Sequence, residues 1–410
     1  MIISQNRRES ARFRDFFARL GGAALICACF FLPLSVALLN LCALFMAVCW
    51  LLSGKPAAVL GIFRRSPSAT LACALFALLA ASLIYTTAPF GYGLEILAKY
   101  RKLLYLPIVF SLVSDAPTLR RKAVDAFMGG CAVLLLVSYF KLITVLLGTA
   151  IFVDRHGFSL VYHITHSFFM AMFIFFLVER AMAAATTRKQ RRAYIAVALL
   201  AGFNLFSITP GRTGWMICLA LLAFSFLRRC SWRRMTVGAL LVAALAALTW
   251  QSSSIVSVRV REIVKETRRY QPGQSRTSMG MRYDWWHNAV TLFAESPWLG
   301  KGVGSFPGEQ KRLVAALGQR TQATDNPHND YLFFAEQTGV CGLALFLALL
   351  VAPTIEGRRR PIEGRRLLEG VALAMALGCL ANSLLFDSHQ GHFYILMTGL
   401  LLAEDSENLT

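Results

Sequence analysis

The sequence predicts an all-α integral membrane protein of about twelve transmembrane helices, with one large, partly helical loop on the outer side. Three observations carry this expectation. The chain has 410 residues, 56% of them hydrophobic and only 16% charged, whereas a soluble protein carries roughly 25% charged residues. Apolar runs near the roughly 20 residues that cross a hydrocarbon core recur from end to end. The runs are continuous and rich in Leu, Ala and Phe, without the two-residue alternation of barrel strands. In lipid only helices and closed barrels satisfy their own backbone, so the runs read as helices.

Spans are expected at 18–33, 35–53, 68–87, 97–114, 124–150, 160–183, 193–210, 213–228, 234–251, 328–352, 367–386 and 390–404. Pro33 and Pro107 interrupt the second and fourth patterns, as a ring without an N–H interrupts any helix. Basic clusters at Arg7–Arg19, Lys55–Arg65, Arg120–Lys122, Arg188–Arg192, Arg228–Arg234 and Arg358–Arg366 all fall on one side of a twelve-span chain. The alternating loops are short and poor in cations. By the positive-inside rule both termini are cytoplasmic. Residues 1–19 are polar and Arg-rich, unlike a cleavable signal peptide.

Residues 252–327 form the long outer loop, with 11 Lys/Arg against 6 Asp/Glu. It divides the chain into helices 1–251, a loop domain 252–327 and helices 328–410. Long loops cross regardless of charge, so the topology stands. Two segments of the loop read as helical, 254–270 and 279–295, followed by a turn-rich stretch from Pro297 to Gly304. As amphipathic helices with Trp and Arg, they are equally readable as interfacial anchors.

The net charge of +20 would point to nucleic acid in a soluble protein. Here the cations mark the cytoplasmic face, and no nucleic-acid partner is expected. The ten cysteines lie mainly in apolar runs without a CxxC pair, so neither a disulfide framework nor a zinc site is expected.

Several ionisable residues gather at outer ends of spans, where topology does not require them. Arg212 lies in Pro210-Gly211-Arg212-Thr213-Gly214; Lys99, Arg101 and Lys102 lie near the start of the fourth span. His163 and His166, on one helix face, open the sixth. Asp387, His389 and His392 occupy the last outer hairpin, and His328, Asn329 and Asp330 open the tenth span. Each has a plain alternative: the cations snorkel to headgroups, the histidines form a satisfied structural pair, Asp387 caps its hairpin. Together they mark a face where ionisable groups are costly and usually functional. Arginine's planar fork suits phosphate oxygens, and a histidine accepts a proton near neutral pH. The outer face therefore reads as a site for an anionic, phosphorylated amphiphile.

The segment Asp325-Asn326-Pro327-His328-Asn329-Asp330-Tyr331-Leu332, followed by Gly339 and Gly342, resembles the His-Asn-x9-Gly-x-x-Gly signature of O-antigen ligases. The family also includes O-antigen polymerases and protein O-oligosaccharyltransferases. The Arg282–Trp286 segment and the Pro297–Phe306 turn resemble its large periplasmic loop, and Gly-Arg-Thr-Gly at Arg212 resembles its short outer arginine motif. The resemblance implies a glycosyltransferase-C-like fold and a metal-independent, inverting transfer without cofactor. O-antigen would pass from undecaprenyl diphosphate to lipid A–core at the periplasmic face, among membrane lipids. It implies catalytic roles for His328, Arg282 and Arg212: base for the first, holders of diphosphate charge for the others. Lys99, Arg101, His163, His166, Asn329, Asp330, Trp285 and Asp387 are the candidate substrate-binding residues, with Asn329 or Asp330 orienting the His328 ring. A polymerase or a protein oligosaccharyltransferase is the neighbouring alternative, the latter disfavoured by the short tail after the last span. An anion transporter is the alternative from another class, but internal repeats and polar residues at mid-membrane are not apparent.

Overall fold

The computed structural model describes residues 2–114, 116–149, 156–209, 211–229, 265–268, 270–274 and 277–403. Among them the chain is all-helical. In chain order the helices are α1 (Ile2–Phe31), α2 (Val36–Leu52), α3 (Val59–Arg65), α4 (Pro67–Ala81), α5 (Phe90–Lys99), α6 (Tyr105–Ser114), α7 (Pro117–Leu146) and α8 (His163–Ala181). Then come α9 (Arg188–Phe203), α10 (Arg212–Leu227), α11 (Ser278–Glu295), α12 (Phe306–Ala316), α13 (Asp330–Glu356), α14 (Ile362–Ala381) and α15 (Ser388–Leu402). The expected span 234–251 and most of the expected helix 254–270 lie outside the described residues.

Local signals explain the boundaries. Pro33 stops α1, and the N–H groups of Leu34 and Ser35 both bond the Phe31 carbonyl, at 2.9 and 3.0 Å, so the chain turns back at once. Ser35 and Ser66 cap α2 and α4 by accepting from the N–H three residues on. Thr187 and Gln190 form a reciprocal capping box at the start of α9.

Among the described residues five helices are long and apolar enough to cross a membrane: Pro67–Ile84, Thr118–Leu146, His163–Ala181, Arg188–Ile208 and Asp330–Arg359. Val36–Leu52 and Arg212–Leu227 are shorter apolar helices. The other expected spans on described residues coincide with helices that are shorter, broken or charged in their first turns. The fourth expected span, 97–114, is not one helix. A 3-10 segment, Tyr100–Leu104, separates α5 from α6. The break is not at Pro107, which sits in the first turn of α6, where its missing N–H leaves no helix bond unmade. It is at the Arg101-Lys102 pair, where Lys102 turns inward.

The helix α8 is the centre of the bundle. Phe168, Phe169, Phe175 and Phe176 are fully buried. Phe127 of α7 and Phe393 of α15 lie 6.0 and 5.8 Å from the Phe169 ring, between centroids.

One helix is deliberately interrupted. Within α13, Gly339 has φ 64° and ψ −158°. The broken backbone pairs with the turn expected at 297–304. Lys301 and Gly302 donate to the carbonyls of Glu336 and Gln337, both at 2.8 Å, and Val340 donates to Pro297 O at 2.8 Å. A Cβ on Gly339 would lie 2.3 Å from the Trp298 carbonyl oxygen, so only glycine admits this approach. The end of α4 holds the other side: Ser82 Oγ accepts from Val303 N at 3.0 Å and Thr86 Oγ1 donates to Val303 O at 2.9 Å. The turn thereby fixes α11, which precedes it, above the bundle.

Candidate functional site

Arg212 is placed by the glycines beside it. A Cβ on Gly211 would lie 2.3 Å from Ser167 Oγ, and one on Gly214 would lie 2.5 Å from Ser167 Cβ. The start of α10 therefore lies flat against α8, with Arg212 at its rim. Arg212 Nη2 donates to Ser278 Oγ at 3.1 Å, at the first residue of α11. Arg282 lies one turn further along α11. Its Nη2 donates to Asn382 Oδ1 at 3.2 Å, and Asn382 Nδ2 donates to Thr213 Oγ1 at 2.7 Å. The two arginines are thus bracketed by one set of contacts from α10, α11 and the loop after α14. Like charges this close repel: burial first, then the Arg212 charge, lowers the Arg282 pKa. Among the described residues neither guanidinium has a carboxylate partner, and the pair is poised for an anion with several oxygens.

His328 faces the same arginine. Its ring stacks on Trp285, 5.1 Å between centroids and tilted by 37°. Trp285 is itself fixed, donating from Nε1 to Gln322 O at 2.9 Å. Burial, then the Arg282 charge, lowers the His328 pKa from 6.5 to about 4. The ring is therefore neutral at neutral pH, with a lone pair to accept a proton. Among the described residues His328 is the only one other than glycine with positive φ, at 52°. Such backbone strain in a non-glycine residue concentrates at functional sites. Asn326 holds the strained turn: its Oδ1 accepts from His328 N and from Ser383 Oγ, each at 2.9 Å.

The residues next to His328 point elsewhere. Asn329 is the N-cap of α13, its Oδ1 accepting from Leu332 N at 3.1 Å, while Nδ2 donates to Leu380 O at 3.1 Å. Asp330 is fully buried, and its Oδ2 accepts from Leu385 N at 2.7 Å. Asn329 pins the start of α13 to the end of α14 and Asp330 pins it to the loop between α14 and α15; neither is hydrogen-bonded to the His328 ring, against the expectation that one would orient it.

A second polar group lies at the far end of that loop. Lys102 is fully buried and donates to the carbonyls of Phe386 and Asp387 at 2.9 and 2.6 Å. Lys99 lies over the Phe386 ring at 4.8 Å, with Glu95 4.0 Å away. Asp387 faces Lys102 and Lys99 rather than the arginine pair. Arg101 turns outward and donates to Asn40 Oδ1 at 2.7 Å. His166 is fully buried, with Ser159 Oγ 2.9 Å from Nδ1 and Asn204 Oδ1 2.8 Å from Nε2. Both its nitrogens are thereby used, the satisfied structural role weighed for it. His163 stacks beside Tyr162 at 4.3 Å, and its carbonyl oxygen would lie 3.4 Å from a Cβ on Gly211, the residue before Arg212.

The structure thus brings together Arg212, Arg282, His328 and Trp285, with His163 at the edge. It sets apart His166, Asp330, Arg101 and the Lys99–Asp387 group. Asn326, Asn382 and Thr213 are supporting residues not singled out in the sequence. Asn326 and Thr213 lie within the segments quoted around His328 and Arg212, and Asn382-Ser383 interrupts an apolar run; those are the signals they offered. Among the described residues no three His, Cys, Asp or Glu side chains converge as a metal would need.

A helical protein with membrane-length apolar helices and a paired-arginine and histidine site under helix α11 is the class defined by this geometry. Residues 195–347 match the family model described as O-antigen ligase. The matched stretch contains Arg212, Arg282, His328 and Gly339. No curated protein matches the chain.

Proposed function

We propose that this protein is an O-antigen ligase. It transfers an O-antigen polysaccharide from undecaprenyl diphosphate to a hydroxyl of lipid A–core, at the periplasmic face of the inner membrane. The observation that supports this most is the meeting of Arg212 and Arg282 with a strained, neutral His328. In the transfer the acceptor oxygen attacks the anomeric carbon while the bond to the diphosphate breaks on the opposite face, inverting that centre. His328 takes the acceptor proton, a contribution of roughly 10²–10⁴-fold. The departing diphosphate gains charge as the bond breaks, and the two arginines hold it; fixed charges aimed at developing charge are usually the largest catalytic effect. No metal is required in this scheme. Twelve spans, cytoplasmic termini and an outer loop domain at 252–327 between helices 1–251 and 328–410 complete the reading.

The test is reconstitution of the purified protein with lipid-linked O-antigen and lipid A–core, in EDTA. Glycan on lipid A–core is the expected product. Lengthening of the lipid-linked glycan instead would make the enzyme a polymerase, and movement of solute without transfer would make it a transporter.

A further inference from the structure

A cavity of about 1210 Å³ lies at the other end of the bundle, between α1, the turn after α2, the end of α6 and the start of α7. Its position follows from chain direction. Helix α7 leaves the cavity at Thr118 and α8 returns from the site side at His163. The far end of α1 meets the outer hairpin, where Leu32 O lies 2.6 Å from His389 Nδ1. The cavity is therefore separate from the arginine–histidine site and does not depend on the reading of that site.

Its lining has two characters. Arg14 and Arg19 of α1, Lys55 and Lys122 supply positive charge from three parts of the chain, against Asp15 alone. Along α1, Arg14, Ala18, Gly22 and Ile26 recur every four residues and so share one face. That face begins with a cation, passes through small residues and ends apolar, over about 18 Å at roughly 1.5 Å per residue. Leu112 and Leu119 wall it; Leu119 Cδ2 would lie 3.2 Å from a Cβ on Gly22. Arg14 lies across Gly54, whose Cβ would meet its Nε at 3.1 Å, so this exposed side chain runs along the cavity wall. Among the described residues Arg14, Arg19 and Lys122 make no ion pair.

The geometry points to a binding site for an anionic phospholipid, with its phosphate among Arg14, Arg19, Lys55 and Lys122 and an acyl chain along Ala18, Gly22 and Ile26. A free phosphate would use the cations and leave the apolar face of α1 uncovered. A zwitterionic lipid would bring a cation to a cluster that already repels one. Basic pockets between membrane helices recognise anionic headgroups through this combination of charge and depth.

The test uses the full-length protein in detergent, with bound lipid counted by native mass spectrometry and thermal stability followed in parallel. Phosphatidylglycerol, phosphatidylcholine and inorganic phosphate are the probes. Phosphatidylglycerol is expected to bind and stabilise, with at least about ten-fold preference over phosphatidylcholine. The double variant Arg14→Gln, Lys122→Gln should lose that preference, and Lys189→Gln, an exposed cation outside the cavity, should keep it. Equal binding of the two lipids overturns the proposal, and so does the same stabilisation by inorganic phosphate alone. Because both of those comparisons use the native protein, they decide the matter even where the double variant does not fold.

Discussion

His328 carries two unusual features at once, a left-handed backbone and a ring whose pKa burial and Arg282 lower to about 4. For a base the sign is clear. The lowered pKa keeps the ring neutral, and active as an acceptor, at any pH above about 4 in the free enzyme. The acid limb of kcat/KM, which reports the free enzyme, should therefore lie near 4. A bound diphosphate offsets the Arg282 charge, so the limb of kcat should lie higher. Arg282→Gln removes the same repulsion and should move the kcat/KM limb upward, toward the ordinary 6.5, while lowering the rate. A pH–rate profile of both proteins checks this; an unmoved limb would show that the Arg282 charge does not reach the ring. For the arginines themselves, Arg212→Ala and Arg282→Ala should each cost about 10²–10³-fold in kcat. Lysine at either position should recover little, because it has no two-pronged fork. Full activity of both lysine variants in the transfer assay would make the arginines ordinary anchors.

At the scale of elements, the broken helix α13 is what gives the site its roof. Gly339 is the hinge on which the 297–304 turn docks, and the turn holds α11 with Arg282 and Trp285. Gly339→Ala puts a side chain at φ 64° and 2.3 Å from Trp298 O. The backbone strain alone costs about 1–3 kcal/mol, and the turn must also move. The variant is expected to melt earlier and to lose transfer although it changes no residue that meets substrate; wild-type melting and activity together would contradict this. Much of this arrangement was legible beforehand. The helix at 279–295, the turn at 297–304 and the span starts at Arg212 and His328 follow from periodicity, glycine spacing and polar residues at span ends. The break inside α13 was not legible, because an apolar helix with two glycines, Gly339 and Gly342, reads as continuous until its partner backbone is known. Nor was the inward turn of Lys102, since a lysine near a span end reads equally as a snorkelling one. The roles of Asp330 and Asn329 were misjudged for a related reason: adjacency to His328 in sequence says nothing of direction, and a residue that caps a helix turns back along it.

For the molecule as a whole, the account is of a helical bundle whose two ends do different work. One end carries the α1–α7 cavity lined by Arg14, Arg19, Lys55 and Lys122. The other brings α10, α11, α13 and the loop after α14 to a common rim, where two arginines and a histidine meet. Contacts through Ser167, Asn382 and Gly339 hold this rim together. The most direct test is glycan transfer to lipid A–core by His328→Asn beside the wild type, with donor binding measured on the same samples. Asparagine tolerates the left-handed backbone, so the variant removes the base without releasing the strain. The account predicts that donor binding persists while transfer falls by roughly 10²–10⁴-fold. Transfer within two-fold of wild type, on the order of experimental scatter beside that loss, would contradict it.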